Sequence, residues 1–248
     1  MNLIYQTVSE TGLRRSNNED AVMFIKPEKP WLAQSLGSLA IVSDGMGGLE
    51  RGEKASALVV EVLQKEYFKE VGRPDEKLRN AAIKANNEVA IEARISGHKM
   101  GATCTAVAIC EDQLHFLHIG DSRAYLLMGG ELRQCTQDHT AANEMAHSGV
   151  MRHSEQTLLF NPHALTRAMG VEFSADCRAD VFSEKNALQK GDRLLLCSDG
   201  LYLHVNDDEL AAALRQKKPL KEITDQLVKL VLKRGAQDNF SFILIEPG

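Results

Sequence analysis

The sequence predicts an α+β fold built on antiparallel sheets, and two observations carry this prediction. Helical segments come in pairs rather than alternating with strands, in the order β, αα, a β meander, β, αα, β. Two connections between strands, Glu111–Gln113 and Gly129–Gly130, are short enough for hairpins, which join antiparallel neighbours. A doubly wound parallel sheet would instead place one helix after each strand.

The first half of the chain is predicted to hold three strands and then two helices. Short apolar runs define the strands, at Leu3–Ser9, Asp20–Lys26 and Leu36–Asp44. Apolar residues at helical spacing define the helices, at Glu53–Lys69 and Asp75–Ile95. Pro74 precedes the second helix and Gly97 follows it, which is the usual pairing of proline at a helix start with glycine after its end.

The second half returns to strands and closes with a second helix pair and a strand. The predicted strands are Thr103–Cys110, Leu114–Ile119, Ala124–Met128, Glu131–Cys135, Asp176–Ser183, Asp192–Cys197 and Asn239–Glu246. The predicted helices are Asp207–Gln216 and Leu220–Lys233. Residues 138–163 are polar and weakly periodic, and we interpret them as a partly helical flap. No linker interrupts the chain, so residues 1–248 are expected to form a single domain.

Composition excludes several classes of protein. The chain is 44% hydrophobic and 25% charged, which are ordinary values for a globular protein. Its net charge is −5 and no basic stripe is present, which excludes nucleic acid as a partner. There is neither a signal peptide nor an apolar run of about 20 residues, so we expect a cytoplasmic protein without membrane contact. We also expect a monomer.

The five cysteines have no C-x-x-C spacing and are interpreted as small buried residues rather than zinc ligands. They are Cys104, Cys110, Cys135, Cys177 and Cys197. Most of the eight histidines are interpreted as structural residues rather than metal ligands. Only His139 and His163 are expected at the rim of a functional site.

Four apolar strands carry an aspartate at one end, beside glycine or asparagine. The aspartates are Asp44, Asp121, Asp199 and Asp238, and the acidic pair Glu19-Asp20 precedes a further apolar run. Asp-Gly alone is a common turn, but two copies of an apolar run followed by Ser-Asp-Gly are less easily dismissed. Gathered carboxylates repel one another and are costly to desolvate unless a cation neutralises them. A hard ion, Mg²⁺ or Mn²⁺, suits an oxygen cluster, and each glycine would let a backbone carbonyl join it. The pattern predicts a metal-dependent enzyme.

Eight motifs occur in an order that resembles the PPM-type (type 2C) metal-dependent serine/threonine phosphatases, in their compact bacterial form. The resemblance spans roughly residues 12 to 245. The motifs are Arg15-Ser-Asn-Asn-Glu-Asp20, Val42-Ser-Asp-Gly-Met-Gly-Gly48, Gly101-Ala-Thr-Cys-Thr105, Gly120-Asp-Ser-Arg123, Asp138-His139, Leu165-Thr-Arg-Ala-Met-Gly170, Ser198-Asp-Gly-Leu201 and Asp238-Asn239.

The resemblance implies a sandwich of two antiparallel β-sheets flanked by helix pairs. It also implies two core ions, Mn²⁺ or Mg²⁺, bridged by Asp44. Each residue then has an implied role: the Gly45 carbonyl binds one ion, Asp199 and Asp238 bind the other, Asp121 binds a weak third ion, and Glu19, Asp20 and Asn239 hold metal-bound water. Arg15 would grip the substrate phosphate, so Arg15 and Asp44 are the implied catalytic residues.

The implied reaction is hydrolysis of phosphoserine and phosphothreonine, by direct attack of a water or hydroxide that bridges the two ions. Phosphorylated proteins are therefore the expected partners, together with a eukaryotic-like bacterial Ser/Thr kinase and its substrates. A forkhead-associated protein of a secretion system is a further expected partner.

Two positions depart from the family pattern. Met46 stands where many eukaryotic members carry a histidine proposed as general acid, so the leaving oxygen must be protonated by another group. Leu203 stands where many relatives carry an aspartate that helps hold the third ion. Two alternative functions fit the same residues, a pseudophosphatase that binds partners without turnover and a hydrolase of small phosphate esters. The intact set of Asp44, Asp199 and Asp238 favours the active enzyme over the pseudophosphatase.

Overall fold

A computed structural model gives the structure of the 248-residue chain. It describes residues 2–27, 36–46, 51–69, 71–149, 161, 164–171, 177–185 and 187–248. Every helix within these ranges is too short or too polar to span a bilayer. Part of the predicted flap, residues 150–160 and 162–163, lies outside the described residues, as does His163.

The described strands form two antiparallel five-stranded sheets, as the sequence predicts. Sheet I has the order β1-β10-β9-β6-β7, and sheet II has the order β2-β3-β4-β5-β8. The strands are β1 (Leu3–Glu10), β2 (Asp20–Ile25), β3 (Ser38–Asp44), β4 (Cys104–Ile109), β5 (Leu114–Ile119), β6 (Arg123–Met128), β7 (Glu131–Gln134), β8 (Asp180–Glu184), β9 (Arg193–Cys197) and β10 (Phe240–Pro247).

Helices cover the outer face of each sheet. On sheet II lie α1 (Gly52–Lys69) and α2 (Pro74–Ser96), which pack against each other. On sheet I lie α4 (Asp199–Tyr202), α5 (Asp207–Leu214) and α6 (Leu220–Lys233). A seven-residue helix, α3 (Ala141–His147), is capped at its N-terminus by Thr140, whose side chain accepts a hydrogen bond from the Asn143 amide. It lies in the segment predicted to be a partly helical flap.

The central strands are buried on both faces, because each sheet is covered by the other sheet and by helices. In β3, Leu39 and Ile41 face the helices, whereas Ala40 and Val42 face sheet I. Successive side chains of a strand point to opposite faces, so a continuous apolar run suits this position. The apolar runs that end in aspartates are therefore core strands.

One topological prediction was wrong. The strands from β4 to β7 were predicted to form one meander, but β5 pairs in sheet II and β6 pairs in sheet I. The turn Gly120-Asp121-Ser122 carries the chain from one sheet to the other. Gly120 has φ +105°, a backbone conformation that residues with a Cβ rarely adopt, and it permits the change of direction. The two hairpins on either side of this crossover, β4–β5 and β6–β7, are as predicted.

Other differences are small. The helix α4 was not predicted, and the strand predicted from Asp176 begins at Asp180 in the described residues. All five cysteines are free, and four of them are buried while Cys135 is half-buried, in agreement with the sequence.

Candidate active site

The strand ends bring most of the predicted site residues around one cavity of about 220 Å³. Its lining residues are Arg15, Glu19, Asp44, Gly45, Met46, Thr103, Asp121, Leu165, Asp199, Asp238 and Asn239. Asp20 is the predicted residue that is not among them. It sits opposite Asp44 in the pairing of β2 with β3, so it lies directly behind the lining. The carboxylates of both sheets therefore meet at one end of the sandwich.

Asp44 occupies the centre of the cluster at the end of β3. Thr103 fixes its backbone from both directions: the Asp44 amide donates to Thr103 Oγ1 at 2.9 Å, and the Thr103 amide donates to the Asp44 carbonyl at 2.8 Å. The pKa of the Asp44 carboxyl is raised well above its usual range, first by burial and then by the charges of Asp20, Asp199 and other carboxylates. The ionised form of Asp44 is therefore unfavourable unless a cation is present.

Asp20 supports the cluster from behind. Ser198 Oγ donates a hydrogen bond to Asp20 Oδ2 at 2.8 Å, which links the start of β2 in sheet II to the end of β9 in sheet I. Its other oxygen, Oδ1, is buried and has no hydrogen-bond partner among the described residues. Burial, opposed by the hydroxyls of Ser198 and Ser241, raises the pKa of Asp20 to about 6.

Asp199 and Asp121 complete the buried part of the cluster. Burial and then the charge of Asp238 raise the pKa of Asp199 to about 6. Burial and then the charge of Asp199 raise the pKa of Asp121 to about 7. Both shifts have the same physical origin, since desolvation and like charge each disfavour the ionised carboxylate.

Arg15 lies at the mouth of the cavity and forms an ion pair with Asp238. Its Nη2 is 2.7 Å from Asp238 Oδ2, and 42% of its side chain is exposed. Asn239 anchors the surrounding loop, because its side chain accepts from the Glu19 amide and donates to the carbonyls of Thr11 and Asn17. A guanidinium that is half-exposed beside a carboxylate can turn toward an incoming anion without unfolding the loop that carries it.

The glycines of the two Asp-Gly pairs lie where two stretches of backbone cross closely. A Cβ on Gly45 would lie 2.2 Å from the Gly52 carbonyl oxygen, and one on Gly200 would lie 2.0 Å from the Asn239 carbonyl oxygen. No side chain would fit at either position, so glycine is required there. Gly45 also lines the cavity.

The donor set fits a hard divalent cation. The carboxylate, carbonyl and amide groups around the cavity offer oxygen atoms, and the unpartnered Asp20 Oδ1 is a buried acceptor. Within the part of the chain that the structure describes, no three His, Cys, Asp or Glu side chains group closely enough to hold one ion. The carboxylates of the described structure thus stand apart, and oxygen donors of this kind suit ions that also retain coordinated water, as Mg²⁺ does.

Of the two residues that depart from the family pattern, Met46 lines the cavity and Leu203 is not among its lining residues. Met46 places a thioether in the cavity wall. Leu203 follows α4, where its side chain is 57% exposed and its amide donates to the Asp199 carbonyl.

Several residues that hold the site together were missing from the predicted set. Thr103 binds the Asp44 backbone, Ser198 binds Asp20, and Leu165 lines the cavity. Their motifs were recognised, but no chemical signal distinguishes a supporting hydroxyl from any other serine or threonine in a strand. His139, expected at the rim, is buried behind the Asp121 turn.

Comparison with known proteins is consistent along the whole chain. The sequence model of the family described as protein phosphatase 2C matches residues 14–244. The chain is 31% identical over 249 residues to the serine/threonine phosphatase stp of Listeria monocytogenes, covering 96% of this chain and 93% of that protein. It is 34% identical over 255 residues to the serine/threonine protein phosphatase PstP of Mycobacterium tuberculosis, covering 98% of this chain and 45% of that protein.

Solved structures of bacterial phosphatases agree with the sequence matches. The catalytic domain of PstP in complex with two manganese ions superposes with a TM-score of 0.80 at 32% identity, covering 98% of this chain and 97% of that one. PppA, described as a key regulatory component of T6SS in Pseudomonas aeruginosa, superposes with a TM-score of 0.78 at 28% identity, covering 99% and 98%.

Proposed function

The chain belongs to the protein phosphatase 2C family and is a serine/threonine protein phosphatase, and on that premise we propose that its Asp44 cavity hydrolyses phosphoserine and phosphothreonine by direct attack of water on phosphorus. One observation carries the proposal: carboxylates from both sheets converge on a cavity with a guanidinium at its mouth. Such a site can accept cations within and a phosphate monoester above them.

We propose that two Mn²⁺ or Mg²⁺ ions bind in this cavity. Asp44 would contact both, the Gly45 carbonyl one, and Asp199 and Asp238 the other, while Glu19, Asp20 and Asn239 would orient coordinated water. The two manganese ions bound by the PstP catalytic domain support this number. When bound, such ions lower the pKa of water and offset the negative charge that develops on the phosphoryl oxygens.

The protein's own groups have distinct tasks in this reaction. Arg15 would hold the phosphate through paired hydrogen bonds, exchanging Asp238 for the substrate as its partner. The hydrogen bond from Ser198 would hold the Asp20 side chain in place and link the two sheets beneath the reacting group. Met46 carries no exchangeable proton, so the leaving oxygen would take its proton from water or from a lining carboxyl group.

The physiological substrates would be phosphorylated proteins of the cytoplasm. We propose that the enzyme acts as a monomer, with residues 1–248 forming one phosphatase domain, and that it opposes a bacterial Ser/Thr kinase. A phosphorylated forkhead-associated protein of a secretion system is a candidate substrate, and the likeness to PppA supports this narrower proposal.

The decisive experiment compares two substrates across a titration of Mn²⁺. The purified chain is assayed with p-nitrophenyl phosphate and with a phosphothreonine peptide, in parallel with Asp44→Asn. We expect metal-dependent turnover of both substrates, a higher kcat/KM for the peptide, and no turnover by the variant.

Each alternative function has its own signature in this experiment. A pseudophosphatase would bind the phosphopeptide without releasing phosphate at any Mn²⁺ concentration. A hydrolase of small esters would turn over p-nitrophenyl phosphate and leave the peptide intact. Appreciable activity of Asp44→Asn at saturating Mn²⁺ would contradict the placement of the reaction at Asp44.

A further inference from the structure

The turn that carries Asp121 is held in place from several sides. Gly120 packs against Thr103 so closely that a Cβ there would lie 2.6 Å from the Thr103 side chain. The Ser122 hydroxyl is 2.7 Å from Thr103 Oγ1, and the Ser122 carbonyl accepts from Thr105 Oγ1 at 2.8 Å. The Tyr202 hydroxyl donates to the Asp121 carbonyl at 3.2 Å. These contacts fix the backbone on the Ser122 side of the turn.

One side chain holds the other side of the turn. The Gly120 amide donates to His139 Nδ1 at 3.1 Å, and the His139 amide donates to the Gly120 carbonyl at 2.7 Å. His139 thus binds both backbone groups of the residue directly before Asp121. Its side chain is only 3% exposed, so water does not compete for these bonds.

The hydrogen bonds define the tautomer of His139. The Gly120 amide is a donor, so Nδ1 must be the bare, accepting nitrogen. Nε2 then carries the proton and donates it to Asp180 Oδ2 at 3.0 Å. Arg167 Nη1, 3.2 Å from the same Nε2, cannot donate to a protonated nitrogen, and its hydrogen-bond acceptor is Asp180 Oδ1 at 3.3 Å. Asp180 therefore orients the ring that in turn orients Gly120.

We propose that His139 is a positioning residue that sets the Asp121 carboxylate for divalent-cation binding, acting through the hydrogen bond from the Gly120 amide to its Nδ1. In many metal sites, a group that does not touch the ion orients a ligand through a hydrogen bond. His139 would act in this way on the backbone that carries Asp121. The inference rests on the proposed role of Asp121 as ligand of a weakly held ion.

Two nearly isosteric substitutions of His139 separate the role of Nδ1 from that of Nε2. In His139→Asn the amide oxygen takes the position of Nδ1 and can accept from Gly120. In His139→Gln the terminal amide takes the position of Nε2 and leaves the Gly120 amide without its acceptor. Calorimetric titration with Mn²⁺ is carried out on the full chain, on both variants and on Asp121→Ala.

We expect His139→Asn to bind Mn²⁺ like the native protein at every site. His139→Gln should keep the tight sites and weaken the weak site by about tenfold or more, the usual cost of losing an outer-shell partner. Asp121→Ala should lose the weak site. Equal binding by His139→Gln and the native protein, together with loss in Asp121→Ala, would overturn the role of His139. Native-like binding by Asp121→Ala would instead overturn the proposed role of Asp121.

A spectroscopic measurement on the native chain tests the same hydrogen bond without substitution. The ¹⁵N shifts of His139 are expected to report a bare Nδ1 and a protonated Nε2, with the Gly120 amide proton coupled to Nδ1. A protonated Nδ1 would overturn the inference, even if both variants failed to fold.

Discussion

Asp44 is the residue on which the electrostatics of the site depend most strongly. It is half-buried, and after desolvation the charges of Asp20, Asp199, Asp121 and Asp238 all act to raise its pKa. A carboxylate in this position destabilises the protein without a cation and is favourable with one. Stability and activity should therefore respond to its removal in opposite directions.

We predict that Asp44→Asn abolishes turnover and leaves the metal-free protein as stable as, or more stable than, the native one. Loss of an outer-shell partner already costs about 10–100-fold, so loss of a shared ligand should lower kcat/KM by at least about a hundredfold. Thermal unfolding in the presence of a chelator measures the second effect. A variant that melts well below the native protein without metal would contradict the repulsion described here.

Arg15 can be tested against its neighbour. We predict that Arg15→Ala raises KM more than it lowers kcat, because the guanidinium holds the phosphate about equally in the ground state and the transition state. A charge-assisted hydrogen bond is worth about 1.5–3 kcal/mol, so KM should rise by roughly tenfold or more. Arg14→Ala, one residue away, is the matched control and should have little effect. Equal defects in the two variants would show that the wrong arginine had been assigned.

At the residue scale, the sequence was informative about charge and uninformative about support. The aspartates could be predicted because a carboxylate at the end of an apolar strand is conspicuous. The role of His139 could not, because its partner is the backbone of Gly120, and backbone groups leave no mark in a sequence. Thr103 was hidden for the same reason, since it binds the amide of Asp44 rather than its side chain.

At the scale of elements, the passage from β9 into α4 aligns Asp199 with Asp238. Gly200, the second residue of α4, packs against the Asn239 carbonyl, so the start of β10 and the end of β9 meet at a point with no space for a side chain. The two aspartates of sheet I are brought together by this backbone contact.

We predict that Gly200→Ala destabilises the protein and impairs catalysis. A Cβ 2.0 Å from a backbone oxygen must push the two segments apart, and overpacking of this kind costs about 3 kcal/mol. That loss corresponds to a fall in Tm of roughly 6–12 °C for a chain of this length. Gly129→Asn is the control: Gly129 has φ +57° and open space around it, and asparagine tolerates that conformation. Equal stability of Gly200→Ala and the native chain would contradict the close backbone contact between Gly200 and Asn239.

The elements themselves were mostly predictable, but their partners were not. The bounds of α6 match the prediction, and β5 matches it as well, because strong apolar periodicity identifies an element locally. Sheet membership is decided by distant pairings such as β1 with β10 and β6 with β9. The crossover at Gly120 replaced the expected meander, since a three-residue turn between strands resembles a hairpin in the sequence.

At the scale of the whole molecule, the cluster joins the two sheets through charge. Asp20, Asp44 and Asp121 come from sheet II and its crossover, and Asp199 and Asp238 come from sheet I. Without cations, the repulsion among these groups acts between the two sheets and should be relieved by protonation. The stability of the metal-free protein should then depend on pH in a definite direction.

Asp121 gives the clearest case, because its folded pKa of about 7 lies far above the usual value of an aspartate. Below about pH 3 the group is protonated in both the folded and the unfolded state, and it costs no stability. As the pH rises toward 7, the unfolded chain releases this proton while the folded chain retains it, so the free energy of unfolding falls. Above pH 7 the loss is complete, at a size on the order of 4 kcal/mol.

Asp121→Asn mimics the protonated group and isolates this contribution from all other titrations. We predict that, in the presence of a chelator, the native chain and the variant differ least near pH 4.5, by about 1 kcal/mol, and that the variant becomes progressively more stable than the native chain up to about pH 7.5. Urea unfolding at intervals of one pH unit measures the difference. Saturating Mn²⁺ should reverse the order at pH 7.5, because the cation favours the ionised carboxylate. Parallel pH profiles for the two proteins without metal would contradict a raised pKa at Asp121, and with it the electrostatic coupling between the sheets.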